Sequence, residues 1–464
     1  MEDWKVVNLP TICVYDISYF VENRFIADDF LSLTSHKHNV RDNLTLESIN
    51  DQLEELELWY KWKYNGHSLR FVTQGIVPHT IENSDKFEVT KDKKVKLRNK
   101  IYVSDISYDP RHYYPSRPSI FVYSVDSTGL LIPICMIRMM VKLLEMCEFA
   151  IPLLTDLDWY FIPVGNPDGY YYNTVTLPNL DGKNRERVPL RLNRNPTERN
   201  CESQYCAGVN IDRNFDFHWK SGKNCSTVGS EERARCLQEN PGNQPFSERE
   251  SNGFKRYLNA KENVFKVFIQ LESTYPQEKP AIVFPWAYSA DTPSNYNDLL
   301  TYANNARDII KETTGVDYEV YQASKPRKEY GTIMDWIMAK LKSKYVFKIK
   351  TNKGLAEDEN LGLSSEVHCD ELEYAVFGIA RQYLEEEVKR NIYDMSLVID
   401  PYANIIDPSG NKNLTQLFFL NMILDKYEKI SKEYQELGFN MVDTLSDTLK
   451  EFTKNLKEFS INEI

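Results

Sequence analysis

Residues 264–271 read VFKVFIQL, a short run rich in aromatic and β-branched side chains of the kind that forms a strand. Similar runs stand on either side of it: IFVYSV (120–125), WYFIPVG (159–165), AIVFPW (281–286) and YVFKIK (345–350). Most are separated by stretches with helical character. That alternation predicts an α/β protein whose sheet is covered on both faces by helices. Upstream, the segment LTLESINDQLEELELWYKW, starting at Leu44, spaces its apolar residues by three and four and predicts an amphipathic helix.

The ends of the chain differ from this middle. Residues 1–43 mix short apolar patches with charge and give no clear period, so they are assigned as an N-terminal extension. Residues 44–390 form the main domain, and residues 391–464 a C-terminal helical extension. There the turn-rich DPYANIIDPSGNKN is followed by two periodic segments. Leu420, Ile423, Tyr427, Ile430, Tyr434 and Leu437 mark the first, Val442, Leu445, Leu449, Phe452, Leu456 and Phe459 the second. Gly438 between them suits a helix C-cap, so the pair reads as a helical hairpin that docks on the main domain or joins two copies.

The chain has 464 residues, of which 42% are apolar and 27% charged, and a formal charge of −12. These are globular values. The acidic balance argues against nucleic acid or an anionic membrane as the main partner. No apolar run is long enough to suggest a membrane span. Eight cysteines and sequons at Asn43, Asn224 and Asn413 point to a secreted protein, although Met1–Pro10 lacks the features of a signal peptide.

Four motifs carry the chemistry, in this order: NPDGY (166–170), PLRLNR (189–194), NIDRNFDFHW (210–219) and VYQAS (320–324). Their order and spacing resemble the zinc carboxypeptidases of the pancreatic type over roughly residues 45–388. The resemblance implies that family's eight-stranded mixed sheet flanked by helices. It also implies a site at strand ends, where a zinc with one open position and a carboxylate base activate water.

Measured against that resemblance, the catalytic positions are degenerate. After the strand IFVYSV the family's His-x-x-Glu is matched by Ser127 and Leu130, neither of which can serve as a zinc ligand at neutral pH. The third ligand position is Glu272, and the general base position is Lys350, an ammonium at pH 7. Zinc is therefore expected to be absent and no cofactor is assigned. Glu272 and Lys350 are expected to pair, with Lys348 on the same strand face as the alternative partner. Elsewhere, His79 and Glu82 form the chain's His-x-x-Glu, and His36 and His38 a His-x-His. Both read as solvated surface histidines.

The groups that grip a substrate carboxylate in the family are matched by Arg194, Arg213 and Tyr321, with Asp212 beside Arg213 where the family has asparagine. Met334 takes the specificity position and implies an apolar pocket. The resemblance also implies a Cys206–Cys236 disulfide, with Cys201 and Cys225 as a second pair; four thiolates holding a structural zinc are the rival reading. Cys13, Cys135, Cys147 and Cys369 are left unassigned. The reading is a non-catalytic carboxypeptidase-like protein that binds peptide or protein C-termini or serves a structural role. The alternative is an active metallocarboxypeptidase releasing apolar C-terminal residues through a divergent metal site.

Overall fold

The computed structural model describes residues 44–63, 69–77, 87–90, 93–96, 100–108, 117–144, 153, 157–177, 190–195, 198, 207–222, 225, 236–261, 265–275, 278–352 and 369–387. The N-terminal extension, the helical hairpin, His36, His38, His79 and Glu82 lie outside these residues. The chain divides into two compact units, Met1–Gln382 and Tyr383–Ile464. Of the second, only residues 383–387 are described, as helix.

The strands are β1 (Leu69–Val77), β2 (Phe87–Thr90), β3 (Lys93–Lys96), β4 (Ile101–Tyr108), β5 (Ser119–Tyr123), β6 (Asp158–Ile162), β7 (Phe265–Ser273), β8 (Ala281–Phe284), β9 (Glu319–Gln322) and β10 (Tyr345–Thr351). Eight of them form one sheet in the order β1-β4-β6-β5-β7-β10-β8-β9, while β2 and β3 make a separate hairpin. The large sheet is mixed. At its centre β6, β5, β7 and β10 run parallel, and the outer pairs β1–β4, β4–β6 and β10–β8 are antiparallel. The expected eight-stranded mixed sheet is present.

The central strands are buried on both faces, so apolar residues fall on both of their alternating sets of positions. Every residue of β5 and β10 is buried, as is every residue of β7 except Lys266. On one face Phe121, Tyr123, Phe254, Phe265 and Phe268 pack together, with Phe121 and Phe265 at 4.9 Å between ring centroids. On the other, Trp159 stacks on Phe161 at 5.7 Å and meets Phe377 edge-on at 5.8 Å.

The described helices include α1 (Leu46–Lys63), α2 (Ile132–Leu144), α3 (Pro167–Tyr171), α4 (Arg249–Ala260), α5 (Tyr296–Thr314), α6 (Ile333–Lys340) and a last helix over 369–387. Helix α1 buries Leu46, Ile49, Leu53 and Leu56, the stripe its spacing predicts. Local chemistry sets the helix ends: Asn166 caps α3 by accepting from Gly169 N, Pro167 occupies the first turn, and Thr332 caps α6 by accepting from Asp335 N.

Cys135 on α2 and Cys369 on the last helix, unassigned from sequence, form a disulfide with both residues buried. The ion pairs Arg138–Asp370, Arg138–Glu373 and Lys142–Glu373 flank it. Cys236 is bonded to Cys225, not to Cys206. The expected Cys206–Cys236 and Cys201–Cys225 pairings are therefore both replaced; Cys201 and Cys206 lie outside the described residues. The bridge spans 11 residues and closes a local loop, with Cys225, Cys236 and Leu237 packed together. It also removes Cys225 and Cys236 from any four-thiolate zinc site.

Candidate functional site

The parallel strands β5, β7 and β10 all end on one side of the sheet, and the candidate site is built where they end. Asp126 follows β5, Glu272 closes β7, and Lys348 and Lys350 stand on β10. Loops bring in Arg191 and a short 3₁₀ turn, Ile211–Arg213. Together Val125, Asp126, Arg191, Asn210, Asp212, Arg213 and Glu272 line a cavity of about 10 Å³. That is room for about one water.

Charged side chains fill the centre. Arg191 Nη1 lies 2.5 Å from Glu272 Oε1, and Lys348 Nζ lies 3.0 Å from Glu272 Oε2. Lys348 Nζ also meets Asp212 Oδ2 at 2.6 Å, which in turn accepts from Arg213 Nη1 at 2.6 Å. Arg213 Nη2 reaches Glu329 Oε2 at 2.7 Å, so both ends of its guanidinium fork are engaged. Asp126 anchors the far side. Its Oδ2 accepts from Ser273 N at 2.7 Å and from the Ser273 hydroxyl, and its Oδ1 lies 3.7 Å from Arg191 Nε. The Arg191 guanidinium also donates to Ser273 O and lies 4.1 Å over the Tyr275 ring.

The electrostatics follow from this alternation of signs. Burial alone would raise the Glu272 carboxyl, but Lys348, Arg191, Lys350 and Arg213 hold it well below the usual carboxylate range. Burial would lower the Lys348 ammonium, yet Asp212 and Glu272 keep it above its ordinary value. Glu329 is pulled down to about 2 against burial, chiefly by Arg213. These groups are ionised and mutually neutralised at neutral pH.

Zinc does not fit this arrangement. Ser127 turns its hydroxyl away from the centre, donating to Leu190 O at 2.7 Å, and Leu130 offers the centre no donor atom. Both Glu272 oxygens face cations, so a metal would have to displace an ammonium and a guanidinium to reach them. Among the described residues no group of three His, Cys, Asp or Glu side chains is arranged to hold a metal ion.

The other expected site residues are dispersed. Lys350 is the backbone neighbour of Glu272 across β7–β10, but its ammonium lies 3.9 Å from Glu278 Oε2. Of the two lysines, Lys348 is the one that pairs with Glu272. Arg194, at φ 67°, holds its guanidinium 4.2 Å over the Tyr172 ring. Arg191, three residues earlier in the same PLRLNR motif, is the arginine that reaches the centre. The motif offers two arginines, and strand or helix periodicity gives no basis for choosing between them. Tyr321 lies on β9, half-buried against the core, with its hydroxyl pushed up to about 12 by burial and by neighbouring acids led by Glu278. Met334 is buried in the apolar core beside Trp336 and does not line the cavity. Asp126 and Glu329 were not singled out from sequence. The signal for Asp126 was its place one residue before Ser127, at the end of the same strand.

The zinc carboxypeptidase family model matches residues 99–361. The chain belongs to the zinc carboxypeptidase family. Among its family relatives, it is 31% identical over 176 residues to the inactive metallocarboxypeptidase ECM14 of Saccharomyces cerevisiae, covering 38% of this chain and 35% of that one. It is also 31% identical over 182 residues to a zinc carboxypeptidase of Simulium vittatum, covering 39% and 51%. The matches thus span about a third to a half of the length of these relatives. In fold this carboxypeptidase-family chain resembles the crystal structure of thrombin activatable fibrinolysis inhibitor, with a TM-score of 0.53 at 18% identity over 80% of this chain and 85% of that one. Among the described residues no helix is long and apolar enough to cross a membrane.

Proposed function

We propose that this chain is a non-catalytic carboxypeptidase-family protein, one that keeps the family scaffold and has lost peptide hydrolysis. The observation that carries the reading is the clasp on Glu272. Its two oxygens are held by Arg191 and Lys348, and the resemblance matches Lys350 to the family's general base position. An ammonium at that position has no lone pair with which to take a proton from water. The yeast relative, an inactive metallocarboxypeptidase, supports this reading. The Cys135–Cys369 and Cys225–Cys236 disulfides and the sequons support a secreted protein, because such bonds persist in oxidising compartments.

The partner class we propose is peptide or protein C-termini. Arg213 remains at the centre of the site, and its planar fork suits a carboxylate. The test of the non-catalytic reading is metal analysis of the purified protein together with an assay on acyl-dipeptides ending in apolar residues. Metal far below one zinc per chain and no release of the C-terminal residue are expected. One zinc per chain with chelator-sensitive turnover would favour the enzyme.

A further inference from the structure

Arg213 already holds a carboxylate that comes from a different loop. Glu329 Oε2 lies 2.7 Å from Arg213 Nη2, and the Glu329 side chain is 11% exposed against 7% for Arg213. The loop that delivers it is fixed at several points. Ala323 N and Ser324 N donate to Phe284 O and Trp286 O, and Glu329 N donates to Ala287 O at 2.9 Å. Two residues later Gly331 sits at φ 65°, and a Cβ there would come within 2.5 Å of Arg213 O. Phe215 N donates to Gly331 O at 3.0 Å. The loop backbone is therefore pressed against the backbone of the Arg213 segment, and this contact sets where Glu329 points.

We infer that Glu329 is a built-in ligand of Arg213, an autoinhibitory contact that holds the carboxylate-binding fork until a free carboxylate of a peptide displaces it. The inference rests on the reading of peptide C-termini as partners. Arg213 Nη1 is occupied by Asp212 from its own turn, which leaves Nη2 as the end that exchanges ligands. The Glu329 carboxyl, held down to about 2, stays charged at any physiological pH, so release comes by displacement and not by protonation. Lys348 and Lys350 add positive charge near the same carboxylate and would act equally on an incoming one.

The experiment measures binding of N-acetyl-Ala-Ala-Leu and of its C-terminal amide to the wild-type chain and to Glu329→Ala and Glu329→Gln, by calorimetry. Removing the internal competitor frees one charge-assisted hydrogen bond. The free acid should therefore bind Glu329→Ala about tenfold or more tightly than wild type. The amide should show no such gain. Glu329→Gln, which keeps the shape and loses the charge, should gain in the same direction, and it carries the test if the alanine variant does not fold. Equal affinity of wild type and both folded variants for the acid, or an equal gain for acid and amide, overturns the inference. Failure of the C-terminus reading itself would show as no preference for the acid over the amide in wild type or in either variant, whereas failure of this inference alone would show as a preference for the acid that Glu329→Ala and Glu329→Gln leave unchanged.

Discussion

Lys348 Nζ lies 3.0 Å from Glu272 Oε2, while Lys350, whose backbone is the register neighbour of Glu272, directs its ammonium to Glu278 at 3.9 Å. Lys348 and Glu272 are 1% and 3% exposed, so their charges are desolvated and depend on each other. Lys348→Met should lower stability by about 3–5 kcal/mol, because it leaves two carboxylates short of a buried cation. Adding Glu272→Gln should recover part of that loss. Urea unfolding of both single variants and the double variant gives the coupling. Additive losses would show that the pair does not act as a unit.

Metal should leave the protein's stability unchanged. The melting temperature is expected to be the same with a chelator as with added zinc, within the error of calorimetry. Ser127→His alone should not create a zinc site, because Leu130 and the clasp on Glu272 remain. A zinc-dependent rise in melting temperature in that variant would mean the centre is more open than its ion pairs indicate.

Asp335 gives a pH dependence of defined sign. Burial raises its carboxyl to about 7, although Ala287 N and Tyr288 N donate to it at 3.0 Å; Lys348 lowers it further and Asp212 raises it. The native state therefore binds this proton more tightly than the unfolded chain does. Stability from this group is full below about pH 3.8 and is lost as pH rises through about 7, by up to about 1.4 kcal/mol per pH unit. Glu329 behaves oppositely. Its contribution is present above about pH 4.5 and disappears as pH falls through about 2. Urea midpoints from about pH 4 to about pH 7 should decline in wild type and decline less in Asp335→Asn. Parallel profiles would refute the assignment.

Non-reducing peptide mapping should recover Cys225–Cys236 and Cys135–Cys369. Replacing Cys135 and Cys369 by alanine should cost about 2–5 kcal/mol. A map showing Cys206 joined to Cys236 would restore the pairing that the family resemblance implies.

The sheet was legible because β5, β7 and β10 are rich in aromatic and β-branched residues on both of their faces, even where Lys266, Gln270, Lys348 and Lys350 interrupt the runs. The site was legible in residue type but less so in reach. Strand alternation places Lys348 and Lys350 on one face, yet it does not say which ammonium turns inward. Asp212 decides that, drawing Lys348 to 2.6 Å from a turn more than a hundred residues earlier. The choice between Arg191 and Arg194 has the same character, since it depends on Asp126, just beyond β5, and Glu272, on β7, both reaching Arg191. Cysteine connectivity was beyond spacing arguments, because Cys135 and Cys369 meet only once α2 and the last helix have packed.

The Cys135–Cys369 bond joins positions 234 residues apart, and both Cys135 and Cys369 are buried. The span includes β6, β7, β8, β9 and β10, and with them most of the charge web. A protease that cuts this span once therefore does not divide the molecule. The two pieces migrate as one species until a reductant reaches the bond, so a nicked chain passes for intact protein on a non-reducing gel. Damage that would release half of the sheet in a chain without the bond leaves the strands tethered, and the severed halves remain able to find each other again.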